Sequence, residues 1–385
     1  MSVLNPGTSP PRVEAGGRRE NSQPQILELD GFRAIAVLWV LLLHFLYGWP
    51  PAPPAGFAWM PRILLQFISH GWLGVDLFFI LSGFLITGIL IDSRGSAHYF
   101  RNFYARRTLR ILPLYVTCIL VMALAYQSAM AYFGLSLLFM ANFSHYFRVN
   151  APHGPGVFWS LAVEEHFYLL WPLLIRFLTR STLFALTLIL VFGTPILRGY
   201  CAYKGMDPEA EIYVYSFFRF DGLALGAILA LWVRSRYYSR GSAWKIAGFL
   251  VGFSLFVTVA GLPFGIMQTK TVAASALRYT QAQFFFAAAM ALTLAYQGSS
   301  LTAILRSRFA RLTAGLSYCI YLTHLSLGDG YYRVLHAMKF DDVAHFGIQG
   351  AVAIRFVVIG VATYGLAALS KKFLEDPILR LKRYF

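Results

Sequence analysis

The chain has little charge, and least of all acidic charge. Charged residues fill 13% of its 385 positions, where soluble domains carry about 25%, so an ordinary water-soluble globule is excluded. Only 17 Asp and Glu stand against 33 Lys and Arg. Cysteine is scarce as well. Cys118, Cys201 and Cys319 lie far apart, odd in number and without metal-ligand spacing. They offer no disulfide framework and no metal site, and packing is their simplest role. No internal repeat with matching Gly- or Pro-broken helices is visible, which argues against a secondary transporter. Residues 1–24 lack the apolar stretch and small-residue cleavage site of a signal peptide, so the first hydrophobic helix is expected to stay in place. Polar and rich in Pro, Gly, Arg and Ser, they read as a disordered cytoplasmic tail.

Hydrophobic residues, by contrast, make up 58% of the chain and come in runs of about 20, the length that crosses a bilayer as a helix. The expected fold is all-α, a polytopic membrane protein whose single transmembrane domain fills 25–385 with no soluble domain beside it. About ten spans are predicted, at 32–49, 71–92, 109–129, 158–178, 182–199, 213–233, 246–262, 280–297, 312–330 and 346–369. The apolar segment 132–143 is too short to cross and reads as re-entrant or interfacial. The net charge of +16 is explained first by the excess of Lys and Arg in cytoplasmic loops, not by a nucleic-acid partner. With the N-terminus inside, ten spans gather most basic residues on the inner side. A few, among them Arg198 and Arg278, fall outside, and Arg219 and Arg355 fall within spans. Both termini are therefore expected in the cytoplasm.

Several polar residues interrupt these spans. In "RAIAVLWVLLLH" ten residues separate Arg33 from His44. Eleven helical steps return to within about 20° of the starting direction and rise roughly 16 Å, so both lie on one face, with His44 deep in the bilayer. Ionisable residues at such depth are functional candidates. The second span carries Asp76 near its outer end and Ser82-Gly83 deeper, where small residues allow close helix contact. In "FWSLAVEEHFYLLWP", Ser160, Glu164 and Tyr168 share one face, while Glu165 and His166 point elsewhere. In "GLSYCIYLTHLSLG", Ser317, Tyr321 and His324 share a face. "GLSYC" lacks the closing glycine and the strand of a nucleophile elbow, so a serine hydrolase is unsupported. On the inner side, "YARRTLRILPLY" sets Arg107 and Arg110 on one helix face beside Arg106. Arginine there suits a topology signal and also a bidentate grip on phosphate. "FRFDG" puts Arg219 and Asp221 in one span, where mutual pairing is expected. His44, Asp76, Glu164 and His324 thus gather toward the outer half, and arginines toward the cytoplasmic mouth.

These segments resemble the acyltransferase-3 family of membrane O-acyltransferases, which modify bacterial surface polysaccharides and related acceptors. "LDGFRAIAVLWVLLLHF" is similar to the family's first-helix signature, and "GVDLFFILSGFLIT" and "WSLAVEEHFYLLWP" to the next two. "RRTLRILPLY" holds its R-x-x-R pattern as Arg107 and Arg110. "LSYCIYLTH" and "FLEDP" are similar to its closing segments. The likeness runs from about 26 to 380. It implies ten family helices, an essential His44, a part in activity for Arg33, Arg107 and Arg110, and an acyl-CoA donor, acetyl-CoA above all, used as co-substrate with no permanently bound cofactor. Many members carry a C-terminal extracytoplasmic hydrolase-like domain, so any step it performs is expected to be absent or supplied by a partner. The expected mechanism binds acyl-CoA from the cytoplasm, its phosphates near Arg107, Arg110 and Arg33. A carbohydrate or lipid-linked saccharide hydroxyl enters from outside the inner membrane, and His44 acts as general base. Asp76 or Glu164 orients the imidazole. The rival reading is a proton-coupled transporter of an anionic or sugar-like solute, using the same residues as a proton relay.

Overall fold

The computed structural model describes residues 26–48 and 60–385. The expected tail at 1–24 lies outside the described residues. Within them, every regular element is helical, and ten helices have 14 residues or more. They are α1 (Leu27–Tyr47), α2 (Leu73–Asp92), α3 (Tyr99–Ala125), α4 (Phe158–Phe177), α5 (Arg180–Tyr203), α6 (Phe220–Val233), α7 (Arg240–Gly261), α8 (Val272–Ala295), α9 (Arg308–Ala337) and α10 (Asp342–Ser370). Each coincides with one of the ten apolar segments. An all-helical answer is what lipid demands, because a helix satisfies its own backbone polar groups where no water can.

Six of these helices, α1, α2, α3, α5, α7 and α10, are long and apolar enough to cross a membrane, and α8 with the bent segment Ser300–Arg306 makes a seventh. This is a multi-pass membrane protein. The apolar segment 132–143 resolves into a helix of 8 residues, Met130–Leu137, packed on α3. Boundaries move where hydropathy and helix propensity part company. Helix α3 starts ten residues before its apolar stretch, because Arg101, Arg106 and Arg107 are good helix formers although they are not apolar. Polar caps close the starts of five helices: the side chains of Thr179, Ser239, Thr271, Ser307 and Asp341 accept backbone N–H groups of α5, α7, α8, α9 and α10.

Helix α2 is the hub, packed against α1, α4, α6 and α8. It crosses α6 at two glycines: a Cβ on Gly83 would overlap the Leu223 carbonyl, and one on Gly226 the Ile80 carbonyl. Two apolar cores flank the hub. One joins it to α3, α4 and α9, the other to α5, α6, α7 and α8, and α1 contributes to both. The polar site lies beside α1 and α2, against the first core.

Candidate functional site

Two cavities lie end to end along α1, α2 and α9. The one on the side expected to face the cytoplasm, called inner, is about 140 Å³ and is walled by Arg33, Arg107 and Arg110 together with Ser82, Glu164 and Tyr168. The outer one, about 380 Å³, is walled by His44 and Arg278 and by the rings of Trp72, Trp159, Tyr213 and Tyr279. Val75 and Tyr321 border both. Tyr321 is therefore a septum, and its hydroxyl is held 2.6 Å from Ser160 Oγ. Ser317 lines the inner cavity too, its hydroxyl donating to the Ala314 carbonyl of its own helix.

The three arginines of the inner cavity differ in how far they are neutralised. Arg33 faces Asp30 at 3.4 Å. Arg110 donates to Glu375 Oε2 at 3.2 Å. Arg107 has no carboxylate partner among the described residues and lies over the Tyr168 ring, 4.9 Å from its centre. Glu164, in turn, is held by two hydroxyls, Ser82 donating at 2.9 Å and Tyr168 at 2.7 Å. An arginine cluster with incomplete compensation, opening into a cavity, suits a ligand bearing several phosphates.

At the outer cavity the protonation pattern of His44 follows from geometry. His324 Nδ1 sits 2.7 Å from the Tyr321 carbonyl, which can only accept, so Nδ1 carries the proton. His324 Nε2 is then an acceptor, and it lies 3.0 Å from His44 Nδ1. His44 Nδ1 therefore donates, and its Nε2 keeps the free lone pair that a general base needs.

The imidazole's partner is thus a histidine, which corrects the expectation that Asp76 or Glu164 orients it. Asp76 is fully buried and turned toward α6 and α8, where it accepts from Arg219 at 2.7 Å and Gln283 at 2.8 Å. Glu164 is held on the inner side by Ser82 and Tyr168. The mutual pairing of Arg219 with Asp221 is corrected as well. Two residues apart on a helix point in opposed directions. Asp221 instead pairs with Arg198 at 2.8 Å and accepts from Thr280 at 3.0 Å. Arg198, taken from sequence as an outer-loop charge, is wholly buried in α5. Glu165 lines a separate small cavity with Arg107 and Tyr168, its Oε1 without a hydrogen-bond partner. Arg355 is buried and donates to the Tyr332 hydroxyl.

Four contributions were not read from the residues. Glu375 stands in the quoted "FLEDP", but only the fold shows it meeting Arg110. Ser82 suits close helix packing in sequence, and its hydroxyl also holds Glu164. Periodicity gives the face of His324 but not its partner, His44. Arg278 reads in sequence as a loop charge, and the fold sets it in the outer cavity.

A family model described as an acyltransferase domain matches residues 26–371. The chain is 27% identical to the putative peptidoglycan O-acetyltransferase YrhL of Bacillus subtilis over 376 residues, covering 91% of this chain and 54% of that protein. It is 28% identical to the O-acetyltransferase OatA of Staphylococcus aureus over 385 residues, covering 91% and 56%. It is 35% identical to an uncharacterized protein of Haemophilus influenzae over 184 residues, covering 41% and 74%. The chain spans about half the length of the two O-acetyltransferases. No solved structure matches it. With its membrane helices and a family match from residue 26 to 371, the chain belongs to the acyltransferase-3 family.

Proposed function

We propose that the chain is a membrane O-acyltransferase that takes an acyl group from acyl-CoA on the cytoplasmic side and passes it to a carbohydrate hydroxyl on the outer side. The observation that carries this reading is the pair of cavities meeting at Tyr321, one lined by three arginines and the other by a histidine with a free Nε2. The CoA phosphates bind Arg107, Arg110 and Arg33, and the thioester extends toward Tyr321. His44 Nε2 takes the proton of the acceptor hydroxyl, and the oxygen attacks the thioester carbonyl carbon. The carbon–sulfur bond then breaks, and the CoA thiolate recovers the proton from His44. His324 fixes the tautomer throughout. Acetyl is the group and peptidoglycan-type saccharide the acceptor that the names of the relatives favour. The inner bacterial membrane is the setting, with both termini cytoplasmic. Inverted membrane vesicles carrying the chain, loaded in the lumen with a cell-wall saccharide and given acetyl-labelled acetyl-CoA outside, should accumulate alkali-labile label in the saccharide. Absence of transfer by intact protein would overturn the reading.

A further inference from the structure

The outer cavity holds a cation, Arg278, that no carboxylate of the described residues meets in an ion pair. Arg278 lies over the Trp72 ring, 4.9 Å from its centre, and 5.0 Å from the Tyr279 ring centre. Its Nη2 donates to the Tyr279 hydroxyl at 2.9 Å, while its Nε is buried and has no hydrogen-bond partner. A guanidinium has five N–H donors, so most of this one remains unused. Among the described residues no carboxylate pairs with it within 4.0 Å. Glu209 also lines the cavity but is exposed.

The contrast with Arg219 is instructive. That guanidinium lies 4.5 Å from the same Tyr279 ring and is paired with Asp76 at 2.7 Å. Arg198 lies 5.2 Å from that ring as well and pairs with Asp221, so three cations share one ring and, among the described residues, only Arg278 of the three has no carboxylate partner. Stacking holds the Arg278 fork in a fixed plane, which suits bidentate contact with a carboxylate or phosphate.

The cavity around it is of ligand size, since ligand pockets run roughly 300–1,000 Å³ and this one is about 380 Å³. Aromatic rings give it flat apolar walls. Trp159 packs on Tyr213 at 4.8 Å and Tyr213 on Tyr279 at 5.7 Å. His44 opens onto the same space. We infer that the acceptor is a saccharide bearing an anionic group, held by Arg278 against the Trp72 and Tyr213 walls so that a hydroxyl reaches His44. This inference rests on the acyl-transfer reading above and specifies its acceptor.

The anion can be a sugar carboxylate or a phosphate, and titration distinguishes them. The purified full chain is titrated with glucuronate, glucose and inorganic phosphate, following Trp fluorescence and thermal stability. Glucuronate or phosphate should bind at least tenfold tighter than glucose, and Arg278→Gln should bring that preference within twofold. A glucuronate preference identifies a sugar acid, and a phosphate preference alone identifies a phosphorylated acceptor. Where Arg278→Gln does not elute as a single species, Arg278→Lys takes its place and should lose most of the preference through its lost fork. Equal binding of all three probes, a preference that survives substitution, or no binding of any probe would overturn the inference. Acetyl-CoA is titrated in parallel on the unsubstituted chain. Stabilisation by acetyl-CoA without any anion preference sinks the inference and leaves the acyl-transfer reading standing. No response to acetyl-CoA sinks that reading itself.

Discussion

Two clusters of intramembrane charge face each other across α2, and they differ in how completely they are compensated. Between α2, α5, α6 and α8, Asp76, Arg219, Asp221 and Arg198 are wholly buried, two acids against two bases, with Thr280 and Gln283 bonded among them. The rings of Phe79, Tyr213 and Tyr279 surround the remaining faces of Arg219. On the other side, Arg33, Arg107 and Arg110 open into a cavity lined by one carboxylate, Glu164, and His44 opens into a second one. What separates framework from site is closure: a cluster that is wholly buried and paired holds helices together, and one that leaves Arg107 unpaired among the described residues and opens into a cavity has room for a ligand.

Removing one partner from the closed cluster gives the sharpest contrast. Asp76→Ala leaves Arg219 buried without its counter-ion, a loss on the order of 3–5 kcal/mol. It should abolish recovery of monodisperse protein in detergent, read by size-exclusion chromatography. A stable Asp76→Ala protein with normal acyl transfer would show that this network is not framework.

In the open cluster, substitution should spare the fold and change the chemistry. Arg107→Ala should raise the KM for acetyl-CoA roughly tenfold to a hundredfold, the worth of a lost hydrogen bond to a charged group. Arg106→Ala, one residue away and exposed, should change it little. Similar KM values for the two variants would reduce the arginines to a topology signal.

The smallest effect lies at the outer rim. His153 sits 2.9 Å from Asp329, and that bond raises its pKa above the usual value near 6.5. The protonated histidine is thus favoured in the folded state. The pair's stabilisation is complete below the unfolded pKa and is lost as pH rises through the raised folded value. Because His153 is half exposed, the amount is below about 1 kcal/mol. The thermal midpoint should fall slightly between pH 6 and pH 9, and His153→Gln should flatten that slope.

The same distinction explains what the sequence disclosed. Faces within one helix follow from periodicity, and Ser160, Glu164 and Tyr168 line one cavity with Ser317 and Tyr321. The helix positions followed from hydropathy alone. Partners across helices leave no local trace. His44 meets His324 from 280 residues away, and Asp76 meets Arg219 from 143 away. Arg198, one residue from the end of the predicted span 182–199, reads as a boundary charge, and only the packing of its helix shows it in the core. Glu375 lies beyond the last apolar run, in a segment whose motif was visible and whose partner was not.

The most direct measurement compares acetyl transfer by the unsubstituted chain and by His44→Ala in matched membrane vesicles, with the elution profile of each protein as the control for folding. Transfer should fall about 10²–10⁴-fold, the usual worth of a general base, while the two elution profiles coincide. Full transfer by a normally folded His44→Ala protein would contradict the assignment of His44 as the base, and with it the reading of the open cluster as the site of chemistry.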